Sequence, residues 1–435
     1  MMKQYIAAFA LIVASAQLQA QNVNKYIQQS DVERIIKTLS ADDMEGRATF
    51  TPGIEKAAKF IEAEFKQAGL VPLRGNKGFR QNFSLTRIKP TKTMVSINGK
   101  VMPADSAFTV SGLPVLNWTN NSDVQIVKVS ADKNFEIEYR TYLRTGKKML
   151  VLVDPHFSAA FNRLNERIKS GVISQQVNKE RAIVFVQGDF SEVKSFSVAY
   201  TGTAEEFPLF NIAGMIPGRS KKAKAEYVIF GGHYDHLGIL KPMQGDSIAN
   251  GADDDASGTT AVISLAKYYK KLKNNSRTLI FVAFTAEEIG EYGSAYFAKQ
   301  VNADKVVAMF NIEMIGKASK FGVNSAFITG FERSDFGKIL QRNLAGTPFK
   351  FYPDPYPEQN LFYRSDNASL AKLGVPAHTI STDQIDTDQL YHTVKDEFST
   401  LDVGNITSTI RAIALSSRSI VSGKDTPKRV GKLEQ

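Results

Sequence analysis

The chain of 435 residues contains no cysteine. That excludes disulfides, thiol nucleophiles and every zinc site built on Cys, so stability has to come from core burial and from bound ions. Other marks are missing too. No Gly-x-Ser-x-Gly elbow and no His-Glu-x-x-His helix occurs, which removes the signatures of serine hydrolases and of the common zinc endopeptidases. Beyond the N-terminal stretch there is no apolar run of membrane-spanning length, so no membrane span is expected. The formal charge of +10 is spread along the chain, with only short clusters such as Lys221-Lys222-Ala223-Lys224 and no basic stripe interleaved with aromatics. Nucleic acid is therefore not an expected partner, and an anionic envelope surface suits the charge better.

What is present is ordinary for a folded globular protein: 43% hydrophobic and 23% charged residues, which argues against disorder. Residues 1–20 stand apart. Lys3 precedes an apolar run from Tyr5 to Val13, followed by small residues, with candidate cleavage sites after Ala16 and after Ala20. The run is too short for an anchor and reads as a removable signal peptide, which predicts a periplasmic or secreted protein.

Along the chain the texture changes twice. Residues 21–85 carry helical spacing, with Val32, Ile35, Ile36 and Leu39 on one face and Ala57, Ala58, Ile61 and Phe65 on the next, ending at Gly69. Residues 86–206 turn to short β-rich runs, including Met94–Ile97 before an Asn98-Gly99 hairpin signal, and read as an inserted domain. Residues 207–425 alternate apolar strands with amphipathic helices, and residues 426–435 form a tail. That alternation predicts an α/β fold with a mostly parallel central sheet flanked by helices, whose ligands bind beyond the carboxyl ends of the strands.

Chemistry-bearing residues fall at those ends. Tyr227–Phe230 leads to His233, Asp235 and His236; Thr278–Phe284 leads to Glu287-Glu288; Val306–Ile312 leads to Glu313; Pro376–Ile380 is followed, after a polar loop, by His392. A further loop carries three consecutive acids, Asp253, Asp254 and Asp255, which repel one another unless a cation joins them. Imidazole and carboxylate suit zinc, with His233 as a ligand and the Asp235 carboxylate as its support. The remaining histidines read as structural: His156 on the surface, His236 at the pocket edge and His378 inside a buried strand.

Gly232-His233-Tyr234-Asp235-His236-Leu237-Gly238, Asn250-Gly251-Ala252-Asp253-Asp254-Asp255-Ala256-Ser257-Gly258, Ala286-Glu287-Glu288 with Gly293-Ser294, and Tyr391-His392-Thr393 together resemble the secreted dizinc aminopeptidases. That family is related to glutamate carboxypeptidase, glutaminyl cyclase and the transferrin receptor. The resemblance extends to Met44-Glu45-Gly46-Arg47 and Thr51-Pro52-Gly53, and so lies on both sides of the insertion, where many relatives carry a protease-associated domain. It implies two zinc ions bridged by Asp253, with His233 and Glu313 completing one site and Glu288 and His392 the other. It also implies Glu287 as general base, Tyr391 beside the tetrahedral intermediate, and a cis bond between Asp253 and Asp254. Glu313 stands where Asp is usual, and Asn367 where His is usual.

The function expected from this is a zinc exopeptidase, an aminopeptidase acting on peptide substrates, with a first-residue pocket drawing on Phe362, Tyr363 and the Gln384–Leu390 loop. The alternatives are a carboxypeptidase or a glutaminyl cyclase on the same fold, or a receptor-like binding module. The full set of five ligands argues against a one-zinc cyclase and against a binding module that has lost ligands.

Overall fold

The computed structural model describes residues 23–174 and 181–433; the expected signal peptide at 1–20 lies outside them. The polypeptide forms two compact units, one from residues up to Asn82 together with Phe210–Gln435, the other from Phe83–Leu209. Among the described residues no helix is long and apolar enough to cross a membrane.

The first unit is built on a sheet in the order Lys350–Pro353, Ser325–Ile328, Ala377–Ser381, Val306–Ile312, Tyr227–His233, Thr278–Phe284 and the end of the Phe196–Ile216 strand. Four central strands run parallel, with Phe230 opposite both Phe281 and Phe310, and Phe310 opposite His378. Two pairings outside these four are antiparallel, which keeps the sheet mostly parallel as expected. Ser325–Ile328 and the end of Phe196–Ile216 pair antiparallel with their inner neighbours. Lys350–Pro353 then pairs parallel with Ser325–Ile328 on its outer side.

The parallel strands are apolar on both faces because both are covered. Val228 and Phe230 face the helices Gln29–Leu39, Pro52–Ala68, Gly258–Leu272 and Val403–Ser416, while Ile229 faces the helix Tyr292–Gln300. Phe230 stacks on Phe281 and Phe310 at 5.3 and 4.8 Å, a contact that adds about 0.5–1.5 kcal/mol per pair to area burial. Pro52 opens its helix and Gly69, at φ 78°, closes it in the left-handed conformation.

The second unit packs a four-stranded sheet, in the order Ala107–Ser111, Ala182–Gln187, Lys148–Val153 and Gln125–Val129, against the helices Phe135–Arg144 and Ser158–Lys169. Met94–Ile97 closes a longer strand, Arg80–Ile97, and Asn98-Gly99 make the two-residue hairpin with both φ positive.

Candidate metal centre

His233 ends its strand fully buried, with Nδ1 3.0 Å from the Asp235 carbonyl oxygen. The expected support by the Asp235 carboxylate is not what the structure shows: that carboxylate is 3.9 Å from the ring. It accepts instead from the backbone amides of Glu287 (3.1 Å) and Glu288 (3.4 Å) and from the Thr49 hydroxyl (3.1 Å). The reason is local. A His-x-Asp stretch leaving a strand turns its carbonyl back on the imidazole, and the side chain then reaches the neighbouring strand end. Asp235 thus fixes the turn that carries both glutamates.

With the Nδ1 proton given to that carbonyl, the Nε2 lone pair of His233 faces Asp254 Oδ1 at 3.0 Å. Neither His233 Nε2 nor Asp254 Oδ2 has a hydrogen-bond partner. On the other side His392 Nε2 lies 3.2 Å from Asp254 Oδ2 and 3.2 Å from Glu288 Oε2. Glu313 Oε1 is 3.9 Å from His233 Nε2, and its other oxygen accepts from the Ser365 hydroxyl. Two imidazoles and three carboxylates therefore converge, and Asp254 is the acid facing both imidazoles.

The expectation that Asp253 bridges does not hold in this geometry. Asp253 Oδ1 accepts from the Gly316 amide at 2.7 Å, and Oδ2 lies 3.3 Å from Lys317 Nζ. The cis peptide bond joins Asp254 and Asp255, one residue later than expected. Asp255 accepts from the amides of Gly258 (3.0 Å) and Met314 (3.1 Å), so each of the three acids points a different way. Gly258 is required at the start of its helix, because a Cβ there would meet the Ile312 carbonyl and the Asp255 carboxylate. Ala286, Met314 and His392, each next to or at a candidate site residue, hold φ between 48° and 59°, a conformation that costs a non-glycine residue of order 1 kcal/mol or more.

Electrostatics follow from burial. Desolvation pushes the Asp254 carboxyl up, yet the imidazoles of His233, His392 and His236 around it hold it well below the ordinary range. Burial lowers His392, but Asp254 and Glu288 outweigh it and raise the imidazole to about 10. Glu287 is held well above the ordinary range, first by burial and then by Glu313, Asp366 and Glu288, with His233 opposing. Burial and the surrounding acids also raise Tyr391, whose ring stacks on His392 at 3.8 Å.

His236 is buried and its Nδ1 lies 2.7 Å from Glu288 Oε1, so it steadies that carboxylate from behind. His378 is structural, held by Thr329 O at 2.8 Å and Ser334 Oγ at 2.8 Å. Asn367 is fully buried and bonds Phe362 O, Ala377 O and Thr379, away from the acids. Sequence reasoning gave no role to Arg47 or Asp396. Arg47 is completely buried and donates to the carbonyls of Leu39, Tyr234, Asn250 and Gly251. Asp396 accepts from the amides of Asp253 and Asp254. Its position four residues after His392 was the available signal.

A second acidic group, Asp253, Asp383 and Asp388, surrounds Lys317, whose Nζ is 2.6 Å from Asp388. That ammonium is its cation. Beside Glu313 opens a small cavity with Met314, Phe327, Leu361, Ile385 and Tyr391 in its wall. Phe362 is buried under Gly330 and His378, and Arg364 rather than Tyr363 lines the cavity.

The donor set fits a metal. Two lone-pair atoms facing each other at 3.0 Å are repulsive until a cation lies between them, and imidazole with carboxylate and no thiolate suits zinc. Residues 211–416 match the family model described as peptidase family M28. A leucine aminopeptidase from Ajellomyces capsulatus is 31% identical over 209 residues, 44% of this chain and 51% of the relative. The chain thus spans about half the length of the curated relatives it matches. Among solved structures, an aminopeptidase from Aneurinibacillus sp. strain AM-1 superposes with a TM-score of 0.54 at 19% identity, covering 95% of this chain and 97% of that one. A zinc aminopeptidase from Bacillus subtilis gives 0.53 at 16%, covering 92% and 97%. These two likenesses establish the fold.

Proposed function

We propose that the protein is a zinc-dependent exopeptidase, an aminopeptidase that removes apolar first residues from peptides, exported to the periplasm or beyond. The observation that carries this reading is the convergence of His233, Glu313, Asp254, Glu288 and His392 beside the partly buried Glu287. His233 and Glu313 would hold one zinc ion, Glu288 and His392 the other, and Asp254 both. When bound, the ions supply Lewis-acid activation of a water and of the scissile carbonyl.

The chain's own residues do the rest. Glu287 takes the proton from the attacking water and passes it to the leaving amine, and its raised affinity for a proton suits that task. Asp235 holds the Glu287 amide at 3.1 Å, which keeps base and ligand on one turn. Tyr391 stays protonated and donates a hydrogen bond to the oxyanion. The cavity takes the first side chain. Its wall mixes Met314, Phe327, Leu361, Ile385 and Tyr391 with serine and threonine hydroxyls, Arg364 is tied to Gln359, and burial with the neighbouring Asp253 and Asp388 raises Asp383 to about 8. The relative named leucine aminopeptidase is in keeping with this. The Phe83–Leu209 unit serves as an accessory domain of the protease-associated type.

The test compares a leucine-led peptide with its N-acetylated and its C-amidated forms, all with zinc present. Cleavage of the free and amidated peptides but not the acetylated one is expected. Cleavage of the acetylated peptide and not the amidated one would make the enzyme a carboxypeptidase.

A further inference from the structure

His392 stands on an irregular loop, 38% exposed and at φ 59°, yet its Nε2 comes to 3.2 Å from both Asp254 and Glu288. Within the loop, the hydrogen bonds of Thr393 to Leu390 and of the Asp396 amide to Thr393 O are local and give it shape without placing it. Placement comes from Asp396. The residue is 1% exposed, and its carboxylate accepts from the Asp253 amide at 2.9 and 3.1 Å and from the Asp254 amide at 3.0 Å. The backbone adds a return bond, Ala252 N to Asp396 O at 3.1 Å. So one carboxylate joins two segments 142 residues apart in sequence, the turn that aims Asp254 and the loop that carries His392.

A buried carboxylate satisfied by backbone amides is an expensive way to staple two loops, because an amide side chain would avoid desolvating a charge. What it adds is direction. The two amides it fixes are those of Asp253 and Asp254, so their position sets where the Asp254 carboxylate stands relative to His392. We propose that Asp396 is a positioning residue for metal retention: by clamping the Asp253 and Asp254 amides it sets Asp254 and His392 as a preassembled pair. The inference rests on the two-zinc reading above.

The experiment measures zinc affinity by chelator competition, and the visible spectrum after cobalt substitution, for the parent chain, Asp396→Asn, Asp396→Ala and Asp402→Ala. Asp402 caps the helix Val403–Ser416 through Asn405 N at 2.9 Å and lies outside the clamp. Asp396→Ala is expected to bind its more weakly held zinc 10–100-fold less tightly, with an altered cobalt spectrum, as the loss of an outer partner of a metal ligand does. Asp396→Asn keeps one acceptor oxygen and should fall between Asp396→Ala and the parent, and it carries the test if the alanine variant does not fold. Asp402→Ala should lower the melting temperature and leave zinc affinity unchanged. A folded Asp396→Asn and a folded Asp396→Ala with parental zinc affinity and spectrum would overturn the clamp. A parent chain that binds no zinc would instead defeat the two-zinc reading and the clamp with it.

Discussion

Glu287 and Glu288 are neighbours with opposite surroundings, and replacing each by glutamine should separate them. The Glu287 amide is anchored on Asp235, while its side chain makes no bond that a glutamine of the same shape would lose. Folding and metal content should therefore change little in Glu287→Gln. Turnover should not survive: a positioned general base is worth 10²–10⁴-fold, about 3–5 kcal/mol of transition-state stabilisation at about 1.36 kcal/mol per tenfold. Glu288 is tied to His236 at 2.7 Å and to His392 at 3.2 Å. Glu288→Gln discards a charged acceptor from both, so it should lose a zinc ion as well as activity. The assay is release of p-nitroaniline from leucine p-nitroanilide, paired with zinc analysis of each variant. A Glu287→Gln enzyme with kcat within threefold of the parent would refute the base assignment. Equal zinc loss in the two variants would refute the division of roles.

Three further outcomes follow from the geometry. Asp254→Asn should lose zinc from both positions, whereas Asp253→Asn, whose side chain faces Gly316 and Lys317, should retain it; dialysis followed by elemental analysis decides, and the reverse order would restore Asp253 as the bridge. Replacing Arg47 by Met leaves four carbonyls without their cationic donor, so the melt of the first unit should fall with a loss of about 3 kcal/mol or more, and an unchanged melt would contradict it. His378 is held at about 4 by burial, against 6.5 when exposed, so between those values the unfolded chain binds the extra proton. Stability therefore falls as pH drops through that window, by about 3 kcal/mol across it, and urea titrations of the zinc-free His378→Gln variant should show a flatter slope than the parent.

Much of the site was legible because buried parallel strands announce themselves as apolar runs, and whatever follows such a run stands at one sheet edge. His233, Glu287, Glu288 and Glu313 were placed that way, and Asn98-Gly99 marked its hairpin by backbone preference alone. The choice among Asp253, Asp254 and Asp255 was not legible. Successive residues of a tight turn point apart, and which one meets the imidazoles depends on the Gly316 amide and Lys317 capturing Asp253, some sixty positions later in the chain. The same holds for Asp235, where the sequence shows a side chain but the carbonyl does the orienting, and for Asp396, whose partners are amides that any residue would offer. His236 read as an edge residue because nothing in the sequence shows that Glu288 needs a second contact.

The proposed centre is a pair of zinc ions held by five side chains with Asp254 shared between them. Zinc titration of the metal-stripped protein, followed by both bound metal and release of leucine from a leucine-led peptide, tests it most directly. Bound zinc and activity should level off together at about two ions per chain. Saturation at one ion, or peptide cleavage at full rate in the stripped protein, would contradict it.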